Sequence, residues 1–335
     1  MTDAPVTGLH LPIALDVMGG DNAPSMILEG ARQAVEAGIP VILVGRSADV
    51  GDTHGIALFE ASQVIAMDDD PAKSVRTMKD SSLVRAAELV RDGKASAFLS
   101  AGNTGATMAS ALLRMGRIKG VNRPAIATPI PVIGSTPTVL LDAGANAECT
   151  AEFLVQFAQM GSVYARQRYG IDRPRVGLLS IGEEDGKGNS LAKEANAMLR
   201  AGAAGEGVYF IGNVEGRDEM STEVDVIVTD GFTGNVVLKT LEGGMKFFAG
   251  KIFEAFLAND ETRAAAKVLL PALLPITEAL DPNTYGGAML LGVDGVAIIS
   301  HGSSNALAVL NACKVARDMV TGGLVEALRA AVRPA

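Results

Sequence analysis

Short apolar runs alternate with longer amphipathic segments along almost the whole chain. Predominantly apolar runs predict buried strands at residues 13–17, 41–44, 64–67, 97–100, 125–130, 139–141, 176–181, 208–211, 224–229 and 296–300. Between them, apolar residues recur with helical spacing at 25–37, 82–92, 104–115, 151–169 and 189–200. Strands that are apolar on both faces and joined by helices indicate a mostly parallel sheet with helices on both sides. The sequence therefore predicts a doubly wound α/β/α sandwich.

Composition and charge narrow the class of protein. Of 335 residues 48% are hydrophobic, and 38 acidic residues against 29 basic ones give a net charge of −9. An acidic chain does not offer the broad basic surface that nucleic acid requires, so we expect no nucleic-acid partner. Cys149 and Cys313 lie far apart, which fits a reducing cytosol and not a disulfide framework. The first ten residues lack a basic segment, so we expect no secretory signal and a cytoplasmic location.

Glycine together with Asn, Asp, Ser or Thr follows seven of the predicted strands. Such loops present backbone N–H groups and helix N-termini, both of which bind small oxyanions such as phosphate. Because ligands gather at the carboxyl ends of strands in an open parallel sheet, the loops predict a phosphate-binding rim along one edge of the sheet. Helix capping and tight turns are the alternative interpretation, and they account well for any single loop.

Common catalytic motifs are missing from the sequence. It contains no G-x-G-x-x-G dinucleotide fingerprint, no G-x-x-x-x-G-K-[ST] phosphate loop, no G-x-S-x-G nucleophile elbow and no H-E-x-x-H zinc motif. With three histidines in all, a His-rich metal site is excluded. Of the three, only His301 follows a predicted buried strand. We therefore expect no metal and no cofactor.

Eight stretches of the sequence carry a resemblance to a known family. In chain order they are LDVMGGDNAP (15–24), SAGNTGA (100–106), LLDAGAN (140–146), IGEEDGKGN (181–189), GNVEGRD (212–218), TDGFTGNVVLKTLEG (229–243), YGGAMLLG (285–292) and SHGSS (300–304). This series resembles the bacterial phosphate acyltransferases of phospholipid synthesis over nearly the whole chain. The resemblance implies a fold related to phosphotransacetylase and to isocitrate and isopropylmalate dehydrogenases. It also implies a single catalytic unit over residues 1–335, with two lobes around a cleft as the alternative.

The resemblance implies transfer of a long-chain acyl group from acyl-acyl-carrier protein to inorganic phosphate, giving acyl phosphate for glycerophospholipid synthesis. Phosphate is itself the nucleophile, so catalysis depends on aligning two reactants and stabilising an oxyanion. The implied partners are acyl carrier protein, inorganic phosphate, a second copy in a homodimer, and a downstream membrane acyltransferase that uses acyl phosphate. Two alternatives stay open. They are phosphotransacetylase-like transfer from acyl-coenzyme A, and a non-catalytic sensor of an acyl or phospholipid metabolite.

Within this resemblance, particular residues are expected to carry the chemistry. Lys187 and Lys239 are the expected cations, although Lys239 also fits a solvated helix position. His301 is the expected proton donor to the leaving thiolate, and Asp230 and Asn103 are expected to orient these groups. Phosphate or substrate binding is expected at Gly19, Gly20, Asp21, Asn22, Gly102, Thr104, Gly105, Asn146, Gly188, Asn189, Asn213, Gly231, Gly234 and Asn235.

Three further segments predict contacts with partners. Basic residues concentrate at 114–123 and at 166–175, and either cluster could bind an acidic carrier protein. Residues 235–257 are more apolar than a solvated helix needs, which predicts a homodimer interface. Residues 262–281 contain Pro271 and Pro275 and predict an apolar helical hairpin of two short helices. Such a hairpin would touch a membrane surface peripherally without crossing it, or would cover the acyl chain.

Overall fold

One eleven-stranded sheet runs through residues 9–332, the part of the chain that the computed structural model describes. The strands are β1 (Ile13–Asp16), β2 (Val41–Gly45), β3 (Leu58–Glu60), β4 (Ala97–Ser100), β5 (Ala125–Ile130), β6 (Thr138–Leu141), β7 (Arg175–Leu179), β8 (Tyr209–Val214), β9 (Val226–Val228), β10 (Ala288–Leu291) and β11 (Val296–Ile299). They lie in the order β3-β2-β1-β4-β11-β10-β5-β6-β9-β7-β8, mostly in parallel pairs. The predicted α/β class is confirmed.

Helices cover both faces of the sheet. They are α1 (Ser25–Glu36), α2 (Ser47–Val50), α3 (Pro71–Thr77), α4 (Ser82–Arg91), α5 (Thr104–Ser110, continued by a π-helical turn at Ala111–Met115), α6 (Ala151–Tyr169), α7 (Ser190–Arg200), α8 (Gly231–Phe256), α9 (Asp260–Leu280), α10 (Ala306–Thr321) and α11 (Leu324–Ala331). Because successive strand residues point to opposite faces, Ile13 and Leu15 belong to the apolar layer that includes α1, α6 and α10, whereas Ala14 belongs to the layer that includes α4 and α5. Two apolar layers result.

The strands run in two directions, which divides their carboxyl ends. β10 is antiparallel to both β11 and β5, and β5 is antiparallel to β6. Consequently β1, β4 and β11 end at one edge of the sheet, here termed the first edge, and β6, β7, β8 and β9 end at the opposite, second edge. The expected single rim of seven loops is wrong, because the antiparallel pairing of β10 and β5 places three loops at one edge and four at the other.

Two differences from the predicted strands have local causes. Residues 64–67 form no strand, because the side-chain amide of Asn103 donates to the carbonyls of Ala66, Met67 and Asp69 and takes the place of a neighbouring strand. β3 and β10 were not predicted. β3 is short and only half-buried, so its sequence lacks a continuous apolar signal.

The segment at 262–281 forms one helix, α9, and not the expected hairpin of two short helices. Both Pro271 and Pro275 lie inside α9. The chain instead reverses just before α9, where the side chain of Asn259 accepts the Thr262 N–H and the Thr262 hydroxyl accepts the Asn259 N–H. This capping box starts α9 ahead of the prolines, so α8 and α9 are the two arms of the hairpin. In the described part of the chain, no helix is long and apolar enough to cross a membrane.

Candidate functional site

At the first edge, the carboxylate of Asp16 organises the loops that follow β1 and β4. It accepts the Ser100 hydroxyl at 2.7 Å and the Met18 N–H at 3.1 Å, and Ser100 Oγ accepts the Gly102 N–H at 2.9 Å. Burial raises the pKa of Asp16, while these hydrogen bonds favour its charged form. A Cβ on Gly19 would lie 2.7 Å from the Gly102 nitrogen, so the two loops touch only because residue 19 is glycine.

The loop that follows β11 is held against the loop that follows β1. The Asp21 N–H donates to the Gly302 carbonyl at 2.7 Å. The Asn22 side chain donates to the carbonyls of Ser303 at 3.1 Å and Ser304 at 3.2 Å. Through these contacts the predicted residues of three separate loops meet at the first edge.

The imidazole of His301 is exposed at this meeting point. Its Nδ1 lies 2.8 Å from the Ser303 hydroxyl and accepts the Ser303 backbone N–H at 3.3 Å. Because Nδ1 acts as an acceptor, these contacts assign the proton of the neutral ring to Nε2. His301 therefore directs its Nε2–H, a hydrogen-bond donor, away from the Ser303 contacts of its own loop.

Asn103 is buried and anchors the start of α5. Its Oδ1 accepts the Ala106 N–H at 3.0 Å, and its Nδ2 donates to the Met67 carbonyl at 3.0 Å. Both ends of the amide are thus occupied by the protein, so Asn103 positions the loop. The side chain of Asn103 accepts only the Ala106 N–H. The N–H groups of Thr104 and Gly105 lie in the first turn of α5 and therefore have no acceptor within the helix.

At the second edge, the carboxylate of Asp142 organises the loop that follows β6, as the carboxylate of Asp16 organises loops at the first edge. One of its carboxylate oxygens accepts the N–H groups of Ile126 at 3.0 Å, Gly144 at 3.1 Å and Ala145 at 2.9 Å. The other accepts the backbone N–H of Asn146 at 2.7 Å and its side-chain amide at 2.9 Å. Burial raises the pKa of Asp142, against the effect of these hydrogen bonds.

The first turn of α8 packs directly on this loop. The Gly231 N–H donates to the Asn146 carbonyl at 2.8 Å. A Cβ on Gly231 would lie 2.6 Å from that oxygen, and one on Gly234 would lie 2.0 Å from the Asp142 carbonyl oxygen. Both glycines are therefore required by close contact, which explains two residues that the sequence assigned to substrate binding.

Asp230 is the N-cap of α8, and its two oxygens accept the Thr233 N–H and the Thr233 hydroxyl, each at 2.8 Å. Asn235 is exposed one turn into the helix. Lys239 lies one further turn along, half exposed, with its Nζ 2.8 Å from a Glu242 carboxylate oxygen. The geometry thus agrees with the alternative interpretation of Lys239 as a solvated helix residue.

Asn213, a buried residue of β8, holds the loop that follows β7. Its Nδ2 donates to the Glu184 carbonyl at 2.8 Å, and its Oδ1 accepts the Asn196 side chain at 2.9 Å. Asn189 caps α7, and Lys187 is exposed in the same loop. Lys187 therefore follows a strand of the second edge, whereas His301 follows a strand of the first.

Sequence reasoning missed three buried acids. Asp16 and Asp142 each come directly after an apolar strand, a signal that could have identified them as loop organisers. Glu219 has no comparable signal. It lies in a short 3₁₀ helix at Gly216–Met220, is 2% exposed, and has no hydrogen-bond partner for either carboxylate oxygen within residues 9–332. Burial raises its pKa to about 8.

Thiol and metal chemistry find little support in the described residues. Burial raises the pKa of Cys149 to about 11 and that of Cys313 to about 12, so both thiols stay protonated and are poor nucleophiles at neutral pH. Between residues 9 and 332, no three or more His, Cys, Asp or Glu side chains are grouped so that they could hold a metal ion.

Solved structures with the same fold define the class to which this architecture belongs. A phosphotransacetylase from Streptococcus pyogenes superposes with a TM-score of 0.59, 16% identity and coverage of 94% of each chain. A 4-hydroxythreonine-4-phosphate dehydrogenase from Klebsiella pneumoniae superposes with a TM-score of 0.51 and 13% identity, covering 94% of this chain and 99% of its own. At these identities the likeness establishes the fold, which is that of the phosphotransacetylases.

Sequence relatives establish the family. A family described as "Fatty acid synthesis protein" matches residues 11–327. The phosphate acyltransferase of Elusimicrobium minutum is 49% identical over 327 residues, covering 95% of this chain and 94% of that protein. The phosphate acyltransferase of an Exiguobacterium species is 44% identical, covering 96% and 99%. The chain belongs to the phosphate acyltransferase family and is an acyltransferase, as the resemblance of its motifs implied.

Proposed function

We propose that the protein transfers a long-chain acyl group from acyl-acyl-carrier protein to inorganic phosphate, giving acyl phosphate for glycerophospholipid synthesis. One observation carries the proposal. Three loops of the first edge, one of which carries the exposed His301 ring, are held together there, and their glycines and helix start are suited to an anion. An acid beside an anion site is what attack by phosphate on a thioester requires.

In the proposed step, a phosphate oxygen attacks the thioester carbonyl carbon. The carbon–sulfur bond breaks and its electron pair stays on sulfur. The imidazolium form of His301 gives its Nε2 proton to the leaving thiolate, and the ring then regains a proton from the hydrogen phosphate that has attacked. The N–H groups of Thr104 and Gly105 and the loop at 19–22 bind phosphate oxygens. Lys187 and Lys239 act as the more distant cations that attract the anionic reactants.

Of the two basic clusters, we infer that the one at 114–123 receives the acidic carrier protein. Arg117, Lys119 and Arg123 are exposed there. The segment also adjoins the second edge, because the Asn146 side chain donates to the carbonyl of Pro124 at 2.8 Å. In the other cluster, Arg175 is bound to Asp225 at 2.9 Å, and ion pairs of this kind reduce the charge offered to a partner.

We further infer a homodimer and peripheral membrane contact for a cytoplasmic protein. In α8 only Gly231 and Gly234 are buried, whereas Phe247 and Phe248 are 60% and 67% exposed. On α9, Val268 and Leu269 are 78% and 50% exposed. Apolar surface of this extent suits a second copy or the membrane interface, where the downstream acyltransferase would take up the acyl phosphate.

The experiment is a measurement of thiol release from palmitoyl-acyl-carrier protein with and without phosphate. We expect release only with phosphate, faster than from palmitoyl-coenzyme A, and about 100-fold slower in the His301→Gln variant. Preference for the coenzyme A thioester would support phosphotransacetylase-like transfer. Binding of the thioester without any release would indicate a sensor, and either result would refute the proposal.

A further inference from the structure

A cavity of about 710 Å³ lies between α8 and α9. Its walls are almost entirely hydrocarbon and include Leu241, Phe248 and Ile252 from α8 and Leu270, Leu273 and Leu280 from α9. Lining residues of α8 extend from Val236 to Phe256, a helical length of about 30 Å at 1.5 Å per residue. The volume of the cavity falls in the range of small-molecule binding sites.

The two helices that form this cavity connect to both loop clusters described above. α8 begins at Asp230, next to the Asp142 loop of the second edge. After α9 ends, the Tyr285 hydroxyl donates to the Ala279 carbonyl, and Gly287 packs against Ser300, the residue before His301. A ligand that fills the cavity would therefore have its base end between the two edges that carry the candidate site.

A second observation also points to a ligand. Glu219 lines the cavity, and its carboxyl group is buried without a hydrogen-bond partner in the described residues. Thr240 and Thr277 contribute the other polar side chains of the lining. A buried carboxyl without a partner is costly, and the cost falls when a bound molecule supplies a polar group. Because its pKa is about 8, Glu219 is uncharged near neutral pH and is compatible with an apolar ligand.

We propose that this cavity binds the hydrocarbon chain of the acyl group, with the polar carbonyl end at its base beside Glu219. The substrate class rests on the proposed function. Apolar walls along α8 and α9 match a long methylene chain, and each methylene buried there raises affinity about fourfold. The cavity thereby makes the protein select long acyl chains over short ones.

Two adjacent glycines of α8 offer a matched pair of variants. Gly244 lines the cavity and Gly243 does not, and a Cβ at either position would meet no atom within 4 Å. Phenylalanine is a better helix former than glycine, so neither substitution should weaken α8. Gly244→Phe fills the cavity, whereas Gly243→Phe places the same ring outside it. Ala249→Phe is a second filling variant five residues nearer the hairpin tip.

The test has two readouts on the intact protein. The first is binding of cis-parinaric acid, a fluorescent long-chain fatty acid, which needs no turnover. The second is kcat/KM for palmitoyl- and butyryl-acyl-carrier protein. We expect Gly244→Phe and Ala249→Phe to weaken parinaric acid binding at least tenfold and to lower the palmitoyl-to-butyryl ratio about 100-fold, as loss of three or four buried methylenes would do. Gly243→Phe should match the native protein in both.

The outcomes separate this proposal from the proposed function. If the native protein turns over no acyl thioester but parinaric acid binds and Gly244→Phe abolishes binding, the cavity proposal stands and the proposed function fails. If Gly244→Phe and Ala249→Phe bind and turn over long chains like Gly243→Phe, the cavity proposal is overturned. It is also overturned if parinaric acid does not bind and Gly244→Phe alone breaks an oligomer in sedimentation, since a second copy would then fill the cavity.

Discussion

Asp142 and Asn146 are joined by two hydrogen bonds to a single carboxylate oxygen, from the Asn146 backbone at 2.7 Å and from its side chain at 2.9 Å. Three further N–H groups bind the other oxygen. All five contacting groups are hydrogen-bond donors, so the side chain at position 142 must act only as a hydrogen-bond acceptor. This arrangement fixes the loop on which α8, and with it the proposed acyl cavity, begins.

The Asp142→Asn variant tests this requirement. An asparagine would direct its own N–H₂ group at donors, so at least one buried N–H loses its acceptor. We expect the free energy of unfolding, measured in urea, to fall by about 2–4 kcal/mol. The same change at exposed Asp172 should cost less than about 0.5 kcal/mol. Equal stability of the two variants would contradict the assigned role of Asp142.

Glu219 should make stability depend on pH. Its pKa is about 8 in the folded protein against an ordinary 4.5, so the folded chain retains a proton that the unfolded chain releases in between. Stability therefore falls as pH rises from about 4.5 to about 8. The Glu219→Gln variant lacks this loss. The free energy of unfolding of Glu219→Gln minus that of the native protein should therefore rise by on the order of 2 kcal/mol between about pH 5 and about pH 8.5.

Urea unfolding of both proteins at the two pH values measures this difference. The control is the Glu183→Gln variant, which removes the same charge at an exposed position. A constant difference between native protein and Glu219→Gln across the range would show that Glu219 is not buried in the uncharged form.

Local sequence signals predicted the individual strands but not their directions. The strand at 125–130 is found as expected, because an apolar run between turn residues identifies a buried strand whatever its neighbours. Its antiparallel pairing with β10 and β6 depends on contacts between residues far apart in sequence. That pairing decides which edge each loop occupies, so the sequence located the loops of the site and not their grouping.

The site residues show the same limit. The sequence singled out Asn103, Asn189, Asp230 and the two glycines of the α8 turn as site residues, and their contacts in the structure are those of capping and close approach. The residue types that bind anions and those that cap helices are the same, so sequence alone does not separate the two roles. Glu219 is buried and lines a cavity with residues of α8 and α9, which lie later in the chain, and no local pattern encodes such an arrangement.

Carrier-protein binding should depend on the basic cluster at 114–123. Reversing charge with Lys119→Glu and Arg123→Glu should lower kcat/KM for palmitoyl-acyl-carrier protein about tenfold or more at low salt, and weaken its dependence on salt. Arg166→Glu with Arg173→Glu makes the same change in net charge in the other cluster. Stronger loss from this second pair would assign carrier binding to 166–175, and no loss from either would exclude both.

Membrane contact should depend on the outer face of α9. Val268 and Leu269 are exposed, whereas Leu270 and Leu273 line the cavity. Val268→Glu with Leu269→Glu should therefore abolish binding to phosphatidylcholine vesicles and leave turnover of soluble thioester within about twofold. Ala264→Glu with Ala265→Glu adds the same charges at exposed small residues of this helix. Vesicle binding that survives the first pair, in flotation, would place the contact elsewhere.

The central claim is that the acyl group moves from the carrier thiol to inorganic phosphate, and the product itself tests it most directly. Palmitoyl-acyl-carrier protein and radiolabelled phosphate are incubated with the enzyme, and the thiol released and the label recovered in acyl phosphate are counted together. The account predicts one labelled acyl phosphate for each thiol, with both rates falling in the His301→Gln variant. Thiol release without labelled acyl phosphate, or at an equal rate without phosphate, would contradict it.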